Sequence, residues 1–243
     1  MHSIGHLSAS TANLFVANLP LFIMEKLLKM RTAVGCAAHR GTAAEAGIVK
    51  GLLDQSLPVK ECEDHALREY DRLTALSGDP RRAKEREAVP GIVATGIKEL
   101  RQYGIPDVVQ GKIVRELPGV PVPFLGYIDI HWSQHALTLD IKSQLRLSSE
   151  ISTSHNRQVS LYIHGTNHEG RVAYITPSKI GVYRVENAAQ HVADLANIAQ
   201  RMERFLALSP DPRELASLVC PDVDSFYFSD PQTRSLVREV YGL

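Results

Sequence analysis

The feature that most narrows the fold is a pair of compact apolar runs, residues 124–130 and 137–141, joined by the short connection 132–136. Such a connection returns the chain on itself, so the two runs predict an antiparallel hairpin. Side chains alternate between the faces of a strand, which puts Asp140 and Lys142 on one face and Ile141 on the other. Across an antiparallel pair, Asp129 lies beside Asp140 on that same face. The hairpin therefore needs apolar cover on one side and carries two acids and a lysine on the other.

The flanking sequence supplies the cover. Ser10 and Thr11 are placed to cap a first helix, and Pro20 opens a second through Phe22, Ile23, Leu27 and Leu28. Helical spacing predicts a third helix over 38–53 and a fourth over 60–76, with Ala66, Tyr70, Leu73 and Leu76 on one face. Residues 78–87 are polar and turn-prone, a loop or the start of a helix, and 92–103 read as an amphipathic helix. After Asp107 the texture changes: 108–117 alternates, the hairpin follows, 148–165 is helical, and 171–176 and 180–185 are short strands around Pro177-Ser178. A long helix over 188–208 and a short one over 233–241 end the chain. The predicted fold is α+β (α/β), a central mixed sheet flanked by helices, in one domain: a mainly helical lead over 1–106, a sheet region over 107–185, and C-terminal helices over 186–243.

Composition excludes several classes. The 243 residues are 44% hydrophobic and 22% charged, enough apolar content for a packed core. Lys plus Arg and Asp plus Glu are 27 each, which excludes a polycation whose whole surface attracts nucleic acid but leaves a local basic groove open. Cys36, Cys62 and Cys220 are too few and too scattered for a disulfide framework or a CxxC zinc site, so a reducing setting is expected. The apolar stretch 14–23 is about half a membrane span and holds Pro20. It reads as a buried element and not as a signal peptide, and no membrane association is expected.

Two carboxylates side by side repel each other unless a cation or proton intervenes. Oxygen donors without Cys or paired His suit Mg²⁺ or Mn²⁺ better than zinc. The Lys142 ammonium can stabilise charge developing on a phosphate, or orient or deprotonate an attacking water. Acid, acid, lysine and metal together point to phosphodiester hydrolysis.

Asp129, ten intervening residues and then Asp140-Ile141-Lys142 resembles the core motif of the PD-(D/E)XK nuclease superfamily. Gly41-Thr42-Ala43-Ala44-Glu45 resembles the GTxxH or GTxxE motif of its RecB-like, phage-type exonuclease branch, Gln158-Val159-Ser160-Leu161-Tyr162 resembles its QxxxY motif, and Leu7-Ser8-Ala9-Ser10 with Pro20 resembles its N-terminal lead. The resemblance covers about 7–185 and implies a restriction-endonuclease-like core with helical additions at both ends. It also implies one or two Mg²⁺ or Mn²⁺ ions held by Glu45, Asp129, Asp140 and the Ile141 carbonyl. Lys142 would assist water attack, and Gln158 and Tyr162 would organise the site, Gln158 by holding Lys142 or a carboxylate and Tyr162 by touching a phosphate. Glu116 resembles an auxiliary acidic position of the branch. The implied activity is exonucleolytic cleavage of DNA ends, single- or double-stranded, in recombination or repair in the cytoplasm of a bacterial or phage-infected cell. A single-strand-annealing partner and a homo-oligomer fit the same picture.

Three departures stand beside it. Tyr127-Ile128 replace the proline of the superfamily name, the cysteines do not fit a four-cysteine iron–sulfur cluster, and no GxxxxGK[ST] motif supplies an ATP motor. A catalytically silent module that binds DNA or a partner is the alternative reading, and an endonuclease the third. Ser143, Arg146 and Arg157 are candidate phosphate contacts, and the basic run Arg81, Arg82, Lys84 and Arg86, interleaved with Glu85 and Glu87, reads first as a solvated face and second as a phosphate contact. Trp132, at the predicted hairpin tip, is suited either to stacking on a base or to packing. His131 and His135 flank a turn rather than a helix and are not expected to bind zinc; His155, His164 and His168 read as exposed.

Overall fold

A computed structural model of the chain describes His2 and residues 4–243. The predicted hairpin is the centre of a five-stranded sheet formed by β1 (Val108–Arg115), β2 (Phe124–Trp132), β3 (Leu137–Ser143), β4 (Glu169–Ile175) and β5 (Ile180–Arg184). The strands lie in chain order. β2 and β3 are antiparallel, β3 and β4 parallel, and β4 and β5 antiparallel, so the sheet is mixed. A parallel pair cannot be joined by a tight turn. Here the crossover from β3 to β4 is the helix α6, Thr153–Ile163, numbered by its place in the full chain. The hairpin turn is a short 3₁₀ segment, Ser133–His135, closed by Ala136 in the left-handed region at φ 45°.

Before the sheet come α1 (Ala9–Ala17), α2 (Leu19–Phe22), α3 (Cys36–Leu53), α4 (Val59–Leu73) and α5 (Arg82–Leu100). After it come α7 (Ala188–Leu206), α8 (Pro212–Ser217) and α9 (Pro231–Tyr241). The whole is α+β. Among the described residues no helix is long and apolar enough to cross a membrane.

The chain divides into two compact units, each assembled from separate stretches. A central unit comprises Val34–Ile113 and Tyr127–Ala188; a terminal unit comprises Met1–Ala33, Val114–Gly126 and Ala189–Leu243. In the central unit α3, α4 and α5 cover one face of the sheet. Ile48 and Leu52 of α3, Tyr70 of α4, and Ile92, Val93 and Ile97 of α5 share a core with Ile130, Trp132, Leu137, Leu139 and Ile141. A Cβ at Gly47 would lie 2.8 Å from the Cys62 carbonyl, so α3 and α4 approach as closely as backbones can. On the opposite face Val159 and Ile163 of α6 pack over Gly170. In the terminal unit Leu21 and Met24 meet Phe228 and Val237 of the C-terminal segment, and Tyr241 donates from Oη to the Pro20 carbonyl at 2.9 Å.

Several local expectations are corrected. Ser8, not Ser10 or Thr11, caps α1, because its extended backbone lets the hydroxyl accept from Thr11 N–H. The second helix is one α-turn capped by Asn18 that widens into a π-helical turn, Ile23–Leu27. Helix α5 begins at Arg82 and runs through Pro90, ten residues before the expected start at 92. Burial of Ala88, Val89, Ile92 and Val93 outweighs the hydrogen bond that Pro90 cannot donate. Helix α8 was not anticipated at all; Asp211 caps it and Pro212 opens it.

Candidate functional site

The site forms where the hairpin ladder stops. β2 and β3 pair at Trp132–Leu137, His131–Thr138 and Ile130–Leu139. The next cross-strand position holds Asp129 and Asp140. There the Asp129 side chain replaces a backbone partner: its Oδ2 accepts the Ile141 N–H at 2.8 Å. Asp140 is fully buried, and its Oδ2 lies 2.7 Å from Lys142 Nζ. Neither Asp140 oxygen accepts a well-formed hydrogen bond.

Two buried carboxylates thus share one ammonium. Burial first, then the charges of Asp140 and Glu45, hold the Asp129 carboxyl well above the usual carboxylate range. Asp140 is raised as well, by burial against the opposing pull of Lys142. Burial draws the Lys142 ammonium down, but Asp140, Asp129 and Glu45 outweigh it and leave its pKa above the ordinary value.

Glu45, on α3, feels Lys142 and Asp140, which places it at the same site. Its Oε1 is held by Gln110 Nε2 of β1. Gln110 is in the left-handed region, at φ 51°, and no sequence motif marked it. Among the described residues no three His, Cys, Asp or Glu side chains converge as a ready metal cage. The carboxylates of Asp129, Asp140 and Glu45, with Lys142 the one partner of the Asp140 oxygens, are hard oxygen donors of the kind that suit Mg²⁺ or Mn²⁺.

On α6 the QxxxY spacing puts Gln158 and Tyr162 on one face, and Gln158 Nε2 donates to Tyr162 Oη at 2.6 Å. Gln158 therefore holds its own helix partner rather than Lys142. The Tyr162 hydroxyl is buried beside the acids, and burial followed by the Asp140 charge raises its pKa. His155, expected to be exposed, is half-buried with Nδ1 2.7 Å from Tyr174 Oη, which also accepts the Ser152 N–H at 3.2 Å. Burial and then the nearby Lys142 charge push His155 down to about 4, so it is neutral at physiological pH.

Arg40 is the residue whose role the sequence hid most completely. It forms a buried ion pair with Glu85 of α5, each side chain 7% exposed. Its Nη2 donates to the Ser143 carbonyl at 3.0 Å and its Nε to Ser143 Oγ at 3.3 Å. Ser143, a candidate phosphate contact, is thereby tied to α3. Arg146 is exposed just beyond β3, and Arg157 is half-buried on α6. Glu116 is exposed past the end of β1, in the terminal unit.

Arg81 pairs with Asp79, and Arg82 and Arg86 both pair with Asp71, so the basic run is largely neutralised by acids of the loop and α4. Trp132 is fully buried and donates from Nε1 to the Gly104 carbonyl, which settles packing over stacking. His131 is buried, and its ring lies 4.4 Å from that of His168, which is only half exposed.

No protein-family model and no curated protein matches the chain. Among solved structures it is similar to the crystal structure of SSO0001, at 17% identity and a TM-score of 0.37 over 85% of this chain and 96% of that one. That likeness is too loose to carry an argument about the site.

Proposed function

We propose that the chain is a divalent-metal-dependent DNA nuclease, an exonuclease acting on ends, of the RecB-like PD-(D/E)XK kind. The observation that carries this reading is the buried pair Asp129 and Asp140, set at the end of the ladder with the Lys142 ammonium the one partner of the Asp140 oxygens. A structural role gives no reason to bury two repelling acids where a strand pair opens.

Asp129, Asp140, the Ile141 carbonyl and Glu45 would hold Mg²⁺ or Mn²⁺. When bound, the ion neutralises the acids and supplies Lewis-acid polarisation at a phosphoryl oxygen. The protein's own groups do the rest. The Asp129–Ile141 hydrogen bond fixes the carboxylate against β3. Lys142 presents an ammonium, a quarter exposed, to the charge that builds on the phosphoryl oxygens. Tyr162, oriented by Gln158, offers its hydroxyl to the same phosphate.

End-labelled linear DNA and a closed circle of the same sequence, incubated with Mg²⁺, Mn²⁺ or EDTA, test the proposal. Metal-dependent loss of the linear DNA alone is expected, and Asp140→Ala or Lys142→Ala should slow it by at least about a hundredfold. Unchanged cleavage in either variant removes the reading, and cutting of the circle makes the protein an endonuclease. One observation favours the silent module: Glu45 is turned to Gln110 and completes no three-acid cage. DNA binding without cleavage in either metal would establish that alternative.

A further inference from the structure

Tyr127 stands two residues before Asp129 on β2, so alternation places both on the same face, about 7 Å apart along the strand. Extending the observed β2–β3 register beyond Ile130–Leu139 sets Asp129 across from Asp140, and Tyr127 across from Lys142. The strands are not paired there. The gap between them therefore has acids at its inner end, with Lys142 on one rim and Tyr127 on the other.

Tyr127 is 53% exposed, between half-buried Gly126 and Ile128, while Asp129 to Trp132 further along the strand are buried. Helix α6 packs on β3 and β4. No ring–ring contact among the described residues involves it. An exposed aromatic in a strand gains nothing from solvent, and its face is free for a flat apolar partner.

We propose that Tyr127 is a stacking platform for the nucleobase adjoining the phosphate held at Lys142, so that the substrate is a nucleic-acid strand whose base at this position is unpaired. The inference rests on the nuclease reading and adds to it the strand state and the residue that selects it. Base and phosphate of one nucleotide are separated by a sugar, so side chains on two opposed strands can meet one each. Stacking tolerates any base, so the platform confers preference for single-stranded ends without sequence preference.

The test is fluorescence anisotropy of a labelled single-stranded oligonucleotide in Ca²⁺, a hard cation with looser geometry than Mg²⁺. A set of oligonucleotides carries one abasic site at each of the terminal positions in turn. The wild type should lose about tenfold in affinity at one abasic position. Tyr127→Ala should bind intact and abasic strands alike, and Tyr127→Phe should retain the discrimination. Far-UV circular dichroism and the emission of buried Trp132 check that each variant is folded. A wild type that cuts DNA but ignores the abasic site overturns the stacking proposal alone, as does a Tyr127→Ala protein that still discriminates. A wild type that neither binds nor cuts overturns both readings. Discrimination without cleavage keeps the platform and removes the nuclease.

Discussion

Asp129 is where charge, burial and backbone meet. Its raised pKa means the folded, metal-free protein holds a proton at a pH where the unfolded chain has lost it. Stability must then fall as pH rises from the ordinary carboxylate value of 3.8 toward the raised one. Asp129→Asn should flatten that slope and stabilise the metal-free protein near neutrality, as read from urea midpoints between pH 4 and 8 in EDTA. Parallel curves for the two proteins would show that the acid is not strained. The two acids and Lys142 were legible because alternation along a strand is a fixed period. Gln110 and Arg40 were not, because each acts across 65 and 103 residues of sequence on Glu45 and Ser143, and no spacing rule reaches that far.

At the scale of elements, two devices hold the site. The first is the Arg40–Glu85 pair, which ties α3 to α5 and, through Ser143, to the end of β3. Removing one partner leaves a buried charge alone, so Arg40→Ala or Glu85→Ala should each cost about 3–5 kcal/mol, whereas changing both to methionine should cost far less. A double-mutant cycle by chemical denaturation measures this. The second is the chain from Ser152 through Tyr174 to His155, which pins the start of α6. A histidine lowered to about 4 contributes stability above its ordinary value of 6.5, and that contribution is lost as pH falls from 6.5 toward 4. His155→Asn should therefore be less sensitive to acid over that window than the wild type in thermal melts. Helix positions were mostly legible from apolar periodicity. The start of α5 was legible only as one of two readings of 78–87, because a polar first turn suits a loop as well as a helix, and the packing of Val89 and Val93 decides for the helix.

For the whole molecule, the terminal unit depends on residues from both ends of the sequence. Val237 and Phe228 are fully buried against Leu21 and Met24, so Val237→Ala should cost roughly 2 kcal/mol, measured as a lowered urea midpoint. This division escaped the sequence reading, since a unit made of three separate stretches leaves no boundary signal along the chain. It has a consequence for biosynthesis. The central unit, with the whole of β3, β4 and β5, is complete in the chain once residue 188 has been made. Of the stretch before residue 34, Leu7 can pair early with Pro123 and Leu125, but Leu21 and Met24 wait for Phe228 and Val237. At about 5–20 residues per second the roughly 200 residues between Met24 and Phe228 take on the order of 10–40 s, during which Leu21 and Met24 lack that cover. An apolar segment left so long without its cover is a natural client for chaperones until the helix Pro231–Tyr241 has been made.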